Sequence, residues 1–323
     1  MPSILPEKTT NSPRVRRGRR QARRGPFRTE GLFVSDCSGF VAVSKVLSGG
    51  FYDFERLSVE LWQDVVHKER MTGEIQRTPW PPNFPDVVIH MSLKARNRHP
   101  AYPAAKAGDA TAAYAFVSDV LNAENFERVA ALIVGRKPLL APVAAVEAEG
   151  FNAIPDAMAQ LLAGKLGLSM ADYDLRQSNY VGHTGADGWL RLATPATFTG
   201  SVEQGKDYLL IDDHVGLGGT LANLRGYIEG QGGRVIGMTT LTETAGGHKI
   251  TSRPETLSVL ETKHGQELNQ FWNGIFGYST ACLTDIEAGY LSRVESVAAI
   301  KTRLAQAATF ARGRGISPIE LQP

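Results

Sequence analysis

Two adjacent acids, Asp212 and Asp213, close the apolar run Tyr208-Leu209-Leu210-Ile211, and the glycine-rich turn Gly216-Leu217-Gly218-Gly219-Thr220 follows. A glycine-rich turn that opens a helix gathers several backbone N–H groups around one point. The helix dipole adds partial positive charge there, so residues 216–220 suit a phosphate. Small residues let the phosphate approach the backbone closely, and the Thr220 hydroxyl adds one donor. The acids need another target, because carboxylates repel a bare phosphate. They can accept hydrogen bonds from sugar hydroxyls, or hold Mg²⁺ shared with a phosphate. Phosphate, vicinal hydroxyls and a metal in one crevice describe a ribose 5-phosphate. A dinucleotide fingerprint would need glycine at 221, where Leu stands, and a P-loop would need Gly-Lys-Ser/Thr, which is absent.

The elements around these residues read as a strand, a loop, a helix and a second strand. Leu221, Leu224, Tyr227 and Ile228 share one helical face, and Gly232-Gly233 ends it. Val235 to Leu241 closes the unit, which predicts a right-handed parallel crossover. A second unit lies upstream. Val129 to Val134 and Leu139 to Val146 read as apolar strands around Arg136-Lys137. The turn Glu147 to Ile154 then leads to a helix with Pro155 in its first turn, Met158, Leu161, Leu162 and Leu166 inward, and Gly167 as its stop. The helix before it starts at Asp109, a good N-cap, and turns Ala113, Phe116, Val117, Val120 and Leu121 inward.

The stretch IDDHVGLGGT, Ile211 to Thr220, resembles the phosphoribosyl-diphosphate (PRPP) motif of type I phosphoribosyltransferases. The resemblance covers about residues 110–245 and is specific only around 208–220. It implies an α/β fold, a mostly parallel sheet flanked by helices, with the ligand at the C-terminal ends of the strands. It implies that Asp212 and Asp213 hold the ribose and help to hold Mg²⁺, and that Gly216, Leu217, Gly218, Gly219 and Thr220 bind the 5-phosphate. By order and spacing it puts a diphosphate-binding loop at Gly150, Phe151 and Asn152, beside the acids Glu147 and Glu149. It implies a mobile loop within 169–206, with Arg176 and Arg191 as candidates for the diphosphate. His214, inside the motif, has a better claim to the ligand than His183. Two departures stand out. Leu217 occupies a place where the family usually has Thr, and Gly216 lacks a side chain that assists near the base or leaving group. The implied partners are PRPP and a small-molecule base, and a homodimer is common among such proteins.

Outside this core the signals are of other kinds. The chain of 323 residues has a net charge of +2, but residues 1–30 hold nine Lys/Arg against two Glu, a net of +7, which leaves −5 for the remainder. The run Arg14 to Arg24 has no hydrophobic periodicity and reads as a disordered arm, either solvated or holding nucleic acid through phosphates. Residues 31–105 form an N-terminal extension, with short strands near Phe33-Val34 and Gly39 to Val43, a helix over Glu55 to Val66, and a rigid proline loop from Thr78 to Pro85. Trp62 and Trp80 read as packing residues. The basic run Lys94-Ala95-Arg96-Asn97-Arg98-His99 reads as a solvated turn, with diphosphate or nucleic acid as the functional alternative. Lys106 and Asp109 flank the helix that follows.

Residues 242–323 start with the turn Ala245 to His248, and 246–323 form the C-terminal region. Phe271, Trp272, Phe276 and Tyr278 supply aromatics for core packing or for stacking a base. Val297, Ile300, Leu304 and Ala308 mark a closing helix, and Arg312 to Gly315 reads as a loose end. Cys37 and Cys282 make no metal or redox motif, and no His/Cys/Asp cluster has zinc-ligand spacing. No apolar run approaches a membrane span, and the expected location is cytoplasmic. Three functions fit this pattern. The first is a PRPP-dependent transferase that releases diphosphate. The second is a non-catalytic PRPP or nucleotide sensor with a nucleic-acid-binding arm, and the third is a nucleotide hydrolase.

Overall fold

The computed structural model describes residues 76–147, 150–182 and 186–320. The basic arm Arg14–Arg24, the strands near Phe33 and Gly39, the helix over Glu55 to Val66, Trp62, Cys37, Glu149 and His183 lie outside the described residues. In chain order the elements are β1 (Val88–Ile89), α1 (Leu93–Arg98), α2 (Tyr102–Lys106), α3 (Ala110–Val120), α4 (Ala123–Ile133), β2 (Leu139–Pro142), β3 (Val146–Glu147), β4 (Gly150–Phe151) and α5 (Ile154–Leu166). There follow β5 (Ser169–Met170), β6 (Arg176–Gln177), α6 (Gly188–Ala193), β7 (Phe198–Thr199), β8 (Asp207–Val215), α7 (Gly219–Gly230) and β9 (Arg234–Glu243). The chain closes with α8 (Pro254–Phe276, interrupted at Gly265), a 3-10 turn at Thr280–Cys282, α9 (Asp285–Ser292) and α10 (Val297–Gly313).

Among the described residues one sheet has five strands in the order β1-β9-β8-β2-β5, and every pairing in it is parallel. The fold is therefore α/β with helices on both faces of the sheet. On one face Phe116, Val117, Ile154, Met158 and Leu162 pack on Leu140, Leu209 and Ile211. On the other, Leu221, Leu224 and Ile228 of α7 pack on Tyr208, Leu210 and Met238. Alternation along β8 creates this division, since successive side chains of a strand leave on opposite faces. The edge strand β1 pairs with β9 and lies upstream of residue 106, so part of the sequence assigned to the N-terminal extension belongs to the sheet.

Several sequence expectations hold locally. Asp109 caps α3 by accepting from Ala112 N at 2.9 Å. Gly167 ends α5 in the left-handed conformation, with φ +63°. Val297, Ile300, Leu304 and Ala308 form the buried face of α10. Trp80 packs edge-on against Phe84 and donates its indole N–H to Leu283 O at 2.9 Å.

Other expectations are corrected. Val129–Ile133 lies in helix α4, not in a strand. The Asn122 side chain caps that helix, and Phe126, Val129 and Ile133 recur at helical spacing, which outweighs the β-branched character of the segment. The basic run from Lys94 is helix α1, capped by Ser92, rather than a turn. The end after Arg312 is anchored: Ile316 and Ile319 are buried, and Ile319 N donates to Ala193 O at 2.8 Å.

The C-terminal helices form a further layer around Leu268, Trp272, Phe276, Leu291, Ile300 and Leu304. Leu217, from the glycine-rich turn, packs against this layer. The layer thus meets the sheet at the turn that the sequence singles out.

Candidate functional site

The strand β8 delivers the acids to its C-terminal end, and the two side chains take opposite faces. Asp212 lines a cavity together with residues 216–220, Arg191, His214 and the aromatics Trp272, Phe276 and Tyr278. Asp213 points to the other face, where Lys106 of α2 meets it with Nζ 2.8 Å from Oδ2. Both carboxylates are buried, and Asp212 also accepts the backbone N–H of Asp213 at 2.8 Å. Burial alone would push the Asp213 carboxyl up. The Lys106 ammonium outweighs it, and with the nearby His214 and Arg96 holds the group below its ordinary range.

The turn after β8 has the geometry that anion binding needs. Gly218 takes φ +84° as the N-cap of α7, a conformation that glycine adopts without strain, and as a glycine it gives the helix no side-chain cap bond. The first N–H groups of α7 have no partner within the helix, by the nature of helix ends. They open the cavity wall at Gly219, Thr220 and Leu221. The side chain of Leu217 packs against the C-terminal layer, and its carbonyl accepts from Thr284 Oγ1.

His214 follows the acids and also lines the cavity. Thr242 Oγ1 donates to the Asp213 carbonyl at 3.2 Å and lies 2.9 Å from His214 Nδ1. A hydroxyl has one proton, so Thr242 accepts from Nδ1–H and leaves the Nε2 lone pair towards Thr244 Oγ1 at 3.3 Å. Burial lowers the His214 pKa to about 4. Asp213 opposes that shift, and the cations Arg96, Arg191 and Lys106 reinforce it. Arg96 reaches the same cluster by donating to Thr242 Oγ1 at 3.3 Å, with its guanidinium over the Tyr102 ring.

The candidate diphosphate loop lies nearby but outside this cavity. Gly150 and Phe151 form a short antiparallel pair with β3, and Asn152 is buried. Asn152 N donates to Ala145 O at 3.2 Å, and its side chain accepts from Ile154 N at 3.3 Å, so its backbone donor already has a structural partner. Gly150 abuts the end of α2, where an added Cβ would stand 2.9 Å from Ala107 O. The loop therefore borders the helix that carries Lys106. Arg176 lies on β6, next to Gln177, whose N–H donates to Ala144 O at 3.0 Å in the segment after β2. Arg191 stands apart from both, beside Gly216.

One residue of the wall, Arg77, has no sequence signal. Arg77 donates to both oxygens of Glu287, at 2.6 and 3.0 Å, and its Nε donates to Asn223 Oδ1 at 2.7 Å. The guanidinium lies over the Tyr278 ring, and the pair is buried directly beside Gly219. Burial would lower the Arg77 pKa, but Glu287 reverses this and holds the cation fully charged. Glu287 was findable in part: Thr284-x-x-Glu287 is a capping box, and both of its hydrogen bonds form. Nothing near Arg77 in sequence marks it.

Asp212 is a carboxylate facing the cavity, while Asp213 is engaged by Lys106. That donor set fits a Mg²⁺ that brings its other oxygen ligands from a bound phosphate compound and water, rather than a cage made of protein alone. Among the described residues no three His, Cys, Asp or Glu side chains form a metal-binding group, and no helix is long and apolar enough to cross a membrane.

The chain is similar to Protein TraN of Escherichia coli, with 41% identity over 232 residues that cover 72% of this chain and 51% of TraN. It is also similar to an uncharacterized protein of Haemophilus influenzae, 38% identical over 152 residues, or 47% of this chain and 34% of the relative. The chain thus spans about half the length of TraN and about a third of the second relative. No family model matches the chain. Among solved structures it is similar to an adenine phosphoribosyltransferase, at TM-score 0.25 and 13% identity over 38% of this chain and 72% of that one. The adenine phosphoribosyltransferase of Thermoanaerobacter pseudethanolicus gives TM-score 0.24 and 23% identity over 42% and 70% of the two chains. The UMP synthase of Leishmania donovani gives 0.22 and 16%, over 77% and 42%. Overlaps this low carry no functional argument.

Proposed function

We propose that the chain binds PRPP in the crevice of residues 212–220 and transfers its 5-phosphoribosyl group to a nitrogenous base, with release of diphosphate. The observation that carries this reading is the uncapped start of α7 beside two buried carboxylates at the C-terminal end of a central parallel strand. The turn 216–220 holds the 5-phosphate through backbone N–H groups. Asp212, facing the cavity, accepts from ribose hydroxyls and would help to hold Mg²⁺, and Asp213, at the same strand end and paired with Lys106, would be the second acid of the site. Mg²⁺ would supply charge neutralisation to the diphosphate.

In the reaction the bond from ribose C1 to the diphosphate oxygen breaks, and a bond from the base nitrogen to C1 forms. The leaving diphosphate keeps the electron pair, and the base loses its proton to solvent or a neighbouring group. Positive charge builds on the ribose, so positioning and buried carboxylates account for the chain's contribution. A homodimer and a cytoplasmic location belong to the same proposal.

A second reading is a sensor that binds PRPP or a nucleotide without turnover, with the arm Arg14–Arg24 holding nucleic acid. It is favoured by Leu217, whose side chain packs into the C-terminal layer, and by the engagement of Asp213 with Lys106. The deciding experiment titrates Mg-PRPP into wild type and Asp213→Asn by calorimetry and follows diphosphate release across a panel of bases. Binding lost in the variant with base-dependent release in wild type supports the transferase. Binding without release supports the sensor, and absence of wild-type binding overturns both.

A further inference from the structure

Arg191 is expected, from the family resemblance, at the diphosphate. The structure places it beside Gly216, in the cavity of residues 216–220. Its Nη1 stands 3.1 Å from the point where a Cβ on Gly216 would lie, and His214 Nε2 stands 4.0 Å from that point. The guanidinium lines the same cavity as residues 216–220, while Gly150, Phe151, Asn152 and Arg176 do not. Its helix is firmly held. Asp187 caps α6 by accepting from Leu190 N at 2.8 Å, and Leu190, Leu192 and Ala193 are buried. Arg191 Nε donates to Ala186 O at 3.2 Å, which orients the guanidinium plane.

We infer that the Arg191 guanidinium is a side-chain ligand of the phosphate bound by the 216–220 turn. This rests on the phosphoribosyl reading above and adds to it a residue that the turn itself does not supply. It accounts together for both departures of the motif. Gly216 has no side chain because the guanidinium occupies the adjoining space. Leu217 can pack against the C-terminal layer because a cation with paired N–H donors replaces the hydroxyl that would otherwise meet the phosphate. Arginine suits the task, since its planar fork matches phosphate oxygens bidentately and stays charged at every working pH. Asp212 shares the cavity and is the competing acceptor, so the test must separate a phosphate ligand from a residue that only positions Asp212.

Calorimetric titration of ribose 5-phosphate, with ribose measured as a competitor, makes that separation in wild type, Arg191→Met, Arg191→Lys and Gly216→Ala. A phosphate ligand predicts that Arg191→Met raises the Kd for ribose 5-phosphate about 10- to 100-fold, the range for a charged hydrogen-bonding group, while ribose changes less than about twofold. Arg191→Lys recovers part of the loss, because charge remains without the fork. Gly216→Ala weakens ribose 5-phosphate in the same direction by crowding Nη1. Thermal melts show which variants fold, and the lysine and alanine variants carry the test if Arg191→Met does not. Equal weakening of ribose and ribose 5-phosphate, or unchanged ribose 5-phosphate affinity in every folded variant, overturns the inference and leaves the phosphoribosyl reading standing. Failure of wild type to bind ribose 5-phosphate or PRPP sinks both.

Discussion

Lys106 Nζ lies 2.8 Å from Asp213 Oδ2, across 107 residues of sequence, and joins α2 to the C-terminal end of β8. The pair is unequal. The Asp213 side chain keeps 6% of its exposure and Lys106 keeps 15%, so the carboxylate depends on its partner more than the ammonium does. Lys106→Met leaves a buried carboxylate without its cation and is expected to cost about 3 kcal/mol or more. Asp213→Asn leaves the more exposed partner of the pair without its counter-ion and is expected to cost less. Urea denaturation of the two variants checks the order, and a larger loss for Asp213→Asn would contradict it.

The His214 imidazole predicts a pH dependence. Its folded pKa, about 4, lies below the ordinary value of 6.5, so below pH 6.5 the unfolded chain takes a proton that the folded one refuses. Stability contributed by the neutral ring is therefore full above pH 6.5 and falls as pH drops towards 4, where the folded ring also protonates. The shift corresponds to on the order of 2 kcal/mol after allowance for partial exposure. His90, also lowered to about 4 by burial, titrates over the same window. The measurement is accordingly a difference: His214→Asn should flatten part of the fall in stability between pH 6.5 and 4 relative to wild type. Parallel curves would show that His214 is not a source of the fall.

The β8–α7–β9 unit was legible because its signals are local. An apolar run, paired acids, glycines and a helical face follow one another within 34 residues, Tyr208 to Leu241. The same holds for the caps at Asp109 and Gly167. What sequence reasoning missed depends on contacts between distant segments. Arg77 and Glu287 are 210 residues apart, and neither has a local pattern that points to the other. Arg96 sits in a basic run that looks solvated, yet helix α1 turns it towards Thr242. The split of Asp212 and Asp213 between the two sheet faces follows from strand alternation and could have been read. The partner of each could not, because Lys106 arrives from a helix whose position only the tertiary fold sets.

The Arg77–Glu287 pair lends itself to a double-mutant cycle. Arg77→Met removes the cation and leaves Glu287 buried beside Gly219, where a carboxylate also repels a phosphate. The expected cost is about 3–5 kcal/mol in stability, with weaker ribose 5-phosphate binding. Adding Glu287→Gln removes the stranded charge, so the double variant should recover a good part of both losses. Additive effects, with no recovery on either readout, would show that the two side chains do not act as a unit.

Gly218→Ala tests the turn itself. At φ +84° an alanine is strained, and its Cβ would lie 2.5 Å from Ile250 Cδ1 and 3.0 Å from Thr284 Cγ2. The isoleucine methyl is the end of a flexible side chain and can shift, whereas Thr284 is held by its capping box and by the Leu217 carbonyl. Backbone strain together with the contact at Thr284 should cost about 1–3 kcal/mol. The turn carries the phosphate-binding N–H groups, so the same substitution should weaken ribose 5-phosphate more than the stability loss alone explains. Calorimetry at a temperature where the variant is fully folded separates the two effects. Unchanged affinity in a destabilised variant would mean that the conformation at 218 serves the start of the helix and not the ligand.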